Sequence, residues 1–93
     1  MVEVSETRKA RGVRIANNGY WVVVHLEGGG RHVIAFEYFL WAFKELGYEG
    51  AVRQYLRHVK DYLRLLYGVP KEEAERVTEE LRRLLLPSAA GAR

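Results

Sequence analysis

The sequence predicts an α+β domain, in which a three-stranded antiparallel meander is followed by three helices packed on one face of the sheet. Two observations support this class. Residues 10–35 alternate apolar and polar side chains between glycine-containing turns, as antiparallel strands do. Beyond residue 36, apolar residues recur at spacings of three and four, the period of an amphipathic helix. The chain of 93 residues fits one domain, expected at residues 1–87, with residues 88–93 as a mobile tail.

The strands are predicted from turn signals and from β-branched side chains. Residues 9–16 form the first strand, after a frayed arm at residues 1–8, and residues 20–27 form the second. An Asn-Gly dipeptide at 18–19 supplies the positive φ angles of a type I′ turn between these two strands. A run of three glycines then leads into a third strand at residues 31–35.

The turn fixes the register of the first two strands and therefore the two faces of the sheet. One face carries three opposed pairs, Ala16 with Trp21, Arg14 with Val23, and Gly12 with His25. The other face is aliphatic and is predicted to be the core face: Val13, Ile15, Val22, Val24 and Leu26. The third strand leaves an alternative open, because the length of the glycine loop decides which of Val33 and Ile34 faces the core.

Three helices are predicted after the strands. The first spans residues 36–46 and ends at Gly47, and its apolar stripe is Phe36, Phe39, Leu40, Phe43 and Leu46. The second spans residues 49–67 and ends at Gly68. The third spans residues 70–86, since a proline at its first turn costs no hydrogen bond and Pro87 stops it.

Composition argues against an enzyme. Without cysteine there is no disulfide framework and no thiolate ligand or nucleophile. His25, His32 and His58 are scattered without a metal-ligand spacing, and His58 with Asp61 is read as a plain ion pair. We therefore expect no catalysis, no metal and no cofactor.

Hydropathy argues against a membrane protein. No apolar run reaches the ~18 residues that a transmembrane helix needs. The first nine residues also lack the apolar stretch of a signal peptide. We therefore expect a cytoplasmic protein with no membrane partner.

The face that carries Trp21 is the first candidate site. A tryptophan beside Arg14 and His25 on an open sheet face provides a ring for base stacking and cations for phosphate, and Arg31 lies at the start of the next strand. The alternative is that the third helix or a second subunit covers this face and encloses Trp21 in a core.

The predicted middle helix is the second candidate site. Its basic residues recur at spacings of four, three and four and so form one stripe: Arg53, Arg57, Lys60 and Arg64. Tyrosines spaced by seven run beside this stripe: Tyr48, Tyr55 and Tyr62. Basic residues interleaved with aromatics are typical of single-stranded nucleic-acid binding. The alternative is a solvated helix face.

A small basic domain with these sheet and helix aromatics resembles the ThermoDBP-related proteins, which bind single-stranded DNA and RNA in hyperthermophilic archaea. The resemblance covers residues 19–68, from GYWVVVHLEGGGRHVIAFEYFLWAFKELG into the Arg/Tyr helix. Few thermolabile residues and 11 arginines against 4 lysines also suit a thermophile. The resemblance implies an aromatic-lined cleft with basic edges and assembly into homodimers or homotetramers. It maps stacking onto Trp21 and, as alternatives, Tyr20, Tyr55 or Trp41.

We therefore expect a non-enzymatic, largely sequence-independent single-stranded DNA- or RNA-binding protein. The predicted binding residues are Arg14, Trp21, His25, Arg31, Arg53, Tyr55, Arg57, Lys60 and Arg64. The alternative function is a protein-interaction or self-assembly module without a nucleic-acid ligand. It rests on the broad apolar face of the third helix, which includes Leu81, Leu84, Leu85 and Leu86.

Overall fold

A computed structural model describes residues 9–86, so the predicted arm at residues 1–8 and tail at residues 88–93 lie outside the described residues. The α+β class is confirmed for this range. One antiparallel sheet has the order β1-β2-β3, with β1 at Ala10–Ala16, β2 at Trp21–Leu26 and β3 at Arg31–Ala35. Two helices follow, α1 at Leu40–Leu65 and α2 at Lys71–Leu85.

The predicted hairpin register is confirmed. Ala16 pairs with Trp21 and Arg14 pairs with Val23. The turn between them has positive φ at Asn18 (57°) and at Gly19 (98°), as the Asn-Gly dipeptide predicts. Alternation along two strands in this register then separates an inner face from an outer face.

The third strand resolves the alternative that the sequence left open. Ile34 pairs with Val22 and is buried on the inner face, whereas Val33 pairs with Val23 on the outer face. The glycine turn before β3 closes with the N–H of Leu26 donating to the carbonyl of Gly30 at 3.1 Å.

The predicted number of helices is wrong. The first two predicted helices belong to the single element α1, which continues through Gly47 with φ 77° and ψ −179°. Because glycine has no Cβ, it adopts this backbone shape in one residue, and the helix changes direction there without an intervening loop. The start of the predicted first helix, Phe36–Phe39, is a 3-10 turn instead.

The core lies between the inner face of the sheet and the two helices. Val22, Val24 and Ile34 share one buried cluster with apolar residues of both helices. The helical members with the lowest exposure are Ala42, Ala51, Val52, Tyr55, Val59, Leu63, Ala74 and Leu81. The helices therefore occupy the inner side of the sheet.

Candidate functional site

The outer face of the sheet brings residues of all three strands together. The registers place nine residues on it: Gly12, Arg14, Ala16, Trp21, Val23, His25, Arg31, Val33 and Ala35. None of the nine is acidic, and two are arginines. The central strand thus carries an aromatic ring and an imidazole, and each edge strand contributes one permanent cation.

Burial shows how this face is built. Val23 at its centre is only 3% exposed, whereas Trp21 is 39% exposed and both arginines are exposed. The alternative in which the third helix covers this face is wrong, because the buried side of α2 lies in the inner core with Val22 and Val24. The outer face therefore has an apolar centre with an accessible ring and cations at its margins.

The basic stripe on α1 lies in the other layer of the molecule. Arg53 forms an ion pair with Glu49 at 2.6 Å, and Lys60 approaches Glu75 of α2 at 3.8 Å. Two members of the stripe are exposed without an ion pair among residues 9–86, namely Arg57 and Arg64. The predicted binding residues thus divide between two surfaces.

Tyr55 is fully buried and is not part of either surface. Its hydroxyl donates to the carbonyl of Gly19 at 3.0 Å, and burial raises its pKa. The seven-residue spacing does place Tyr48, Tyr55 and Tyr62 along one side of α1, but at Tyr55 that side faces the core. Because its ring is inaccessible to a base, the prediction that Tyr55 is a binding residue is wrong.

A second surface feature is an exposed apolar segment at residues 38–46. The apolar stripe predicted for residues 36–46 is only partly buried. Phe36 and Phe39 are buried, whereas three of its members are exposed: Leu40, Phe43 and Leu46. Tyr38 and Trp41 are more than half exposed on the same segment. The signal in the sequence is the nearly continuous apolar run from residue 38 to residue 43, which has apolar residues on every side of the helix.

A pocket of about 380 Å³ opens beside this segment. Its lining residues come from the hairpin turn, the 3-10 turn and the start of α1: Asn17, Tyr20, Phe36, Glu37, Leu40, Phe43 and Tyr48. The hydroxyl of Tyr48 donates to the carbonyl of Leu85 at 2.8 Å. Burial and the neighbouring Tyr20 raise the pKa of Tyr48, so this phenol stays neutral. Of the residues that the structure describes, Glu37 is the one charged residue in the lining.

The histidines do not converge. His58 packs against Phe39 and Tyr62, and burial lowers its pKa while the charge of Asp61 partly offsets that effect. His32 Nδ1 and the hydroxyl of Tyr67 share a hydrogen bond. Within residues 9–86, no group of three or more His, Asp or Glu side chains is placed to hold a metal ion.

In comparisons with known protein families, curated proteins and solved structures, none matches this chain. The resemblance to the ThermoDBP-related proteins stays a prediction. Neither α1 nor α2 is apolar enough over a sufficient length to cross a bilayer, and these are the helices of the described residues.

Proposed function

We propose that the protein binds single-stranded DNA or RNA without catalysis, and that the strand lies across the outer face of the sheet. The observation that carries the proposal is one sheet face that presents an accessible Trp21 together with the exposed Arg14 and Arg31 and contains no acidic residue. An aromatic ring accepts any base by stacking, so this chemistry tolerates different sequences.

The dimensions of the face suit successive nucleotides. Trp21 and His25 are four residues apart on β2, which corresponds to roughly 13 Å along a strand. Arg14 on β1 and Arg31 on β3 flank that line from either side. Their guanidinium groups are able to form bidentate hydrogen bonds to phosphate, which holds the backbone while the rings hold the bases.

The test is fluorescence anisotropy with a labelled strand of about eight nucleotides, a length comparable to one binding site. Loss of one stacking contact of 1–3 kcal/mol means that Trp21→Ala weakens binding by about 5- to 150-fold. The matched control is Trp41→Ala, which removes an exposed tryptophan outside the sheet. We expect the control to bind like the parent protein.

The salt dependence gives an independent readout. Trp21→Ala is expected to leave the slope of affinity against salt unchanged, because the substitution removes a ring and no phosphate contact. The proposal would be contradicted if the protein does not bind the strand at low salt, or if Trp21→Ala and Trp41→Ala lose the same affinity.

A second candidate function is self-assembly. The apolar face of α2 that was expected to carry it is mostly buried within the chain, since only Leu84 of its four leucines is exposed, so the apolar segment at residues 38–46 is the better candidate interface. Five large apolar side chains are about half exposed there: Tyr38, Leu40, Trp41, Phe43 and Leu46. Together they present roughly 500 Å² of apolar surface, within the range of the largest patches on monomers, which are often functional. A second copy is the simplest partner, because twofold homodimers are the commonest soluble oligomers.

Sedimentation velocity over a range of protein concentrations tests self-assembly. Trp41→Ser is expected to shift the protein toward the monomer. Leu65→Ser is the matched control, since Leu65 is 79% exposed at the opposite end of α1. A strict monomer at high concentration, or identical shifts in both variants, would rule out this segment as the interface.

A further inference from the structure

The pocket beside the apolar segment is walled by four aromatic rings. The rings of Tyr20 and Phe36 stack with centroids 5.5 Å apart. Tyr48 stands at 62° to Phe36 with centroids 6.1 Å apart, and Phe43 stands at 71° to Tyr48 with centroids 6.2 Å apart. The four rings, which we call the aromatic box, line the pocket in several orientations: Tyr20 and Phe36 are nearly parallel, whereas Tyr48 and Phe43 are each steeply inclined to a neighbouring ring.

The electrostatics of this box favour a positive ligand. The face of an aromatic ring is negative, so a cation that enters a pocket lined by several rings is attracted wherever a ring face is accessible to it. Glu37 adds a full negative charge to the lining and has no ion pair with any of residues 9–86. Among residues 9–86, no lysine, arginine or histidine lines the pocket.

We propose that this pocket binds an organic cation with a methylated ammonium group, such as choline or a trimethyllysine side chain. A methylated ammonium spreads its charge over apolar methyl groups, so it loses little hydration when rings surround it. The volume of about 380 Å³ lies in the range of pockets that hold small molecules. The Glu37 carboxylate balances the charge without needing a hydrogen-bond donor on the ligand.

Other ligands fit this pocket less well. A phosphate-bearing ligand meets Glu37 and no cation. A flat base finds no open slot between the two parallel rings of this pocket, because Tyr20 and Phe36 already stack on each other. The pocket is therefore distinct in its chemistry from the outer face of the sheet, and its test contains no nucleic acid.

The experiment is a titration of dilute protein with choline, followed by ligand methyl NMR, in parallel with the neutral isostere dimethylbutanol. We expect choline to bind at least ~10-fold more tightly than its isostere, because only the cation gains from the ring faces and from Glu37. Equal affinity for the two ligands, or no binding of choline, would overturn the proposal.

Two charge variants provide a matched pair. Glu37→Gln keeps the shape of the side chain and is expected to weaken choline binding by about fivefold or more. Glu45→Gln removes another exposed carboxylate of the same segment that does not line the pocket, and its affinity is expected to stay at the parent value. Equal loss of choline affinity in both variants would show that the effect comes from overall charge, and it would contradict a specific site.

Phe43→Ala tests the rings, since Phe43 is a partly exposed wall of the box and its loss leaves the buried core unchanged. Choline binding is expected to fall in this variant while its thermal unfolding stays close to that of the parent. An unchanged affinity would overturn the proposal. A trimethyllysine peptide is compared with its unmethylated form and with choline to identify the source of the cation. Tighter binding of the methylated peptide than of choline indicates a protein source. Equal binding of choline and the methylated peptide indicates a free metabolite.

Discussion

Tyr55 joins the two layers of the fold. Its hydroxyl reaches from α1 to the carbonyl of Gly19 in the hairpin turn, and its ring packs edge-on against Phe36 and Phe39. A buried phenol needs a hydrogen-bond partner, and here the partner is a backbone carbonyl of the turn that sets the sheet register. The residue therefore stabilises the structure that presents the outer face, without belonging to that face.

Replacing this phenol gives a prediction about stability. Tyr55→Phe keeps the ring but removes the donor, so the carbonyl of Gly19 loses a buried partner. We expect the free energy of unfolding to fall by about 1–2 kcal/mol. Urea denaturation followed by circular dichroism measures this change.

The control is Tyr62→Phe on the same helix, because the hydroxyl of Tyr62 makes no hydrogen bond within residues 9–86. Its loss of stability is expected to be small, and equal losses in both variants would contradict the assigned bond. Burial raises the pKa of Tyr55, so the unfolded state ionises first and stability declines as pH rises above about 10. Tyr55→Phe is expected to show a shallower decline.

Gly47 determines how the apolar segment is attached to the rest of α1. Its φ of 77° with ψ of −179° lies in a backbone region that is almost exclusive to glycine. A Cβ at this position would meet no atom within 4 Å, so a substitution there tests the backbone alone. This single residue lets residues 40–46 leave the line of the helix without a loop.

Gly47→Ala is therefore expected to lower the free energy of unfolding by about 1–3 kcal/mol through backbone strain. Gly12→Ala is the matched control, because a Cβ at Gly12 also meets nothing within 4 Å and the backbone of Gly12 lies outside the left-handed region. Thermal unfolding of the two variants measures the difference. A Gly47 variant as stable as the Gly12 variant would contradict the backbone assignment.

The elements differ in how far sequence alone predicts them. The hairpin is predicted from Gly12 to His25, because the Asn-Gly dipeptide specifies one turn type and the period of two then assigns side chains to faces. The register shift between Ala10 and Gly12 is not predicted, since nothing in the alternation marks a bulge there. The helix count fails at Gly47, since a glycine between two apolar stripes indicates either a helix end or a bend. The backbone angles that distinguish these outcomes depend on tertiary packing.

The candidate site, like the fold, is predicted only in part by the sequence. Arg14, Trp21 and His25 follow from the hairpin register, whereas the exposure of Leu40 and Phe43 does not follow from their spacing. A period of three and four shows that a helix has an apolar face but not which neighbour covers it. The apolar run at residues 38–43 was the one available signal for the exposed segment, whereas the pocket beside it depends on the fold.

At the scale of the whole molecule, exposed arginines without an ion pair among residues 9–86 lie both on the sheet and on α1, where they are Arg57 and Arg64. The net charge is +3, and the outer face of the sheet carries two arginines and no carboxylate. In the helix layer, arginines and carboxylates of α2 pair with each other, as Arg82 does with Glu79 and Arg76 with Glu73. Paired α2 is therefore a poor surface for phosphates, and the accessible ring of Trp21 beside Arg14 and Arg31 is the reason to expect the strand on the sheet rather than on α1.

The most direct test of this placement compares the salt dependence of single-strand binding in three arginine variants. Each phosphate neutralised contributes about −0.7 to the slope of log affinity against log salt on single strands. Arg14→Ala and Arg31→Ala are each expected to flatten the slope by about that amount. Arg57→Ala removes the same charge from the helix layer and is expected to leave the slope unchanged. A slope that flattens with Arg57→Ala but not with the two sheet variants would place the strand on α1 and contradict the proposed site.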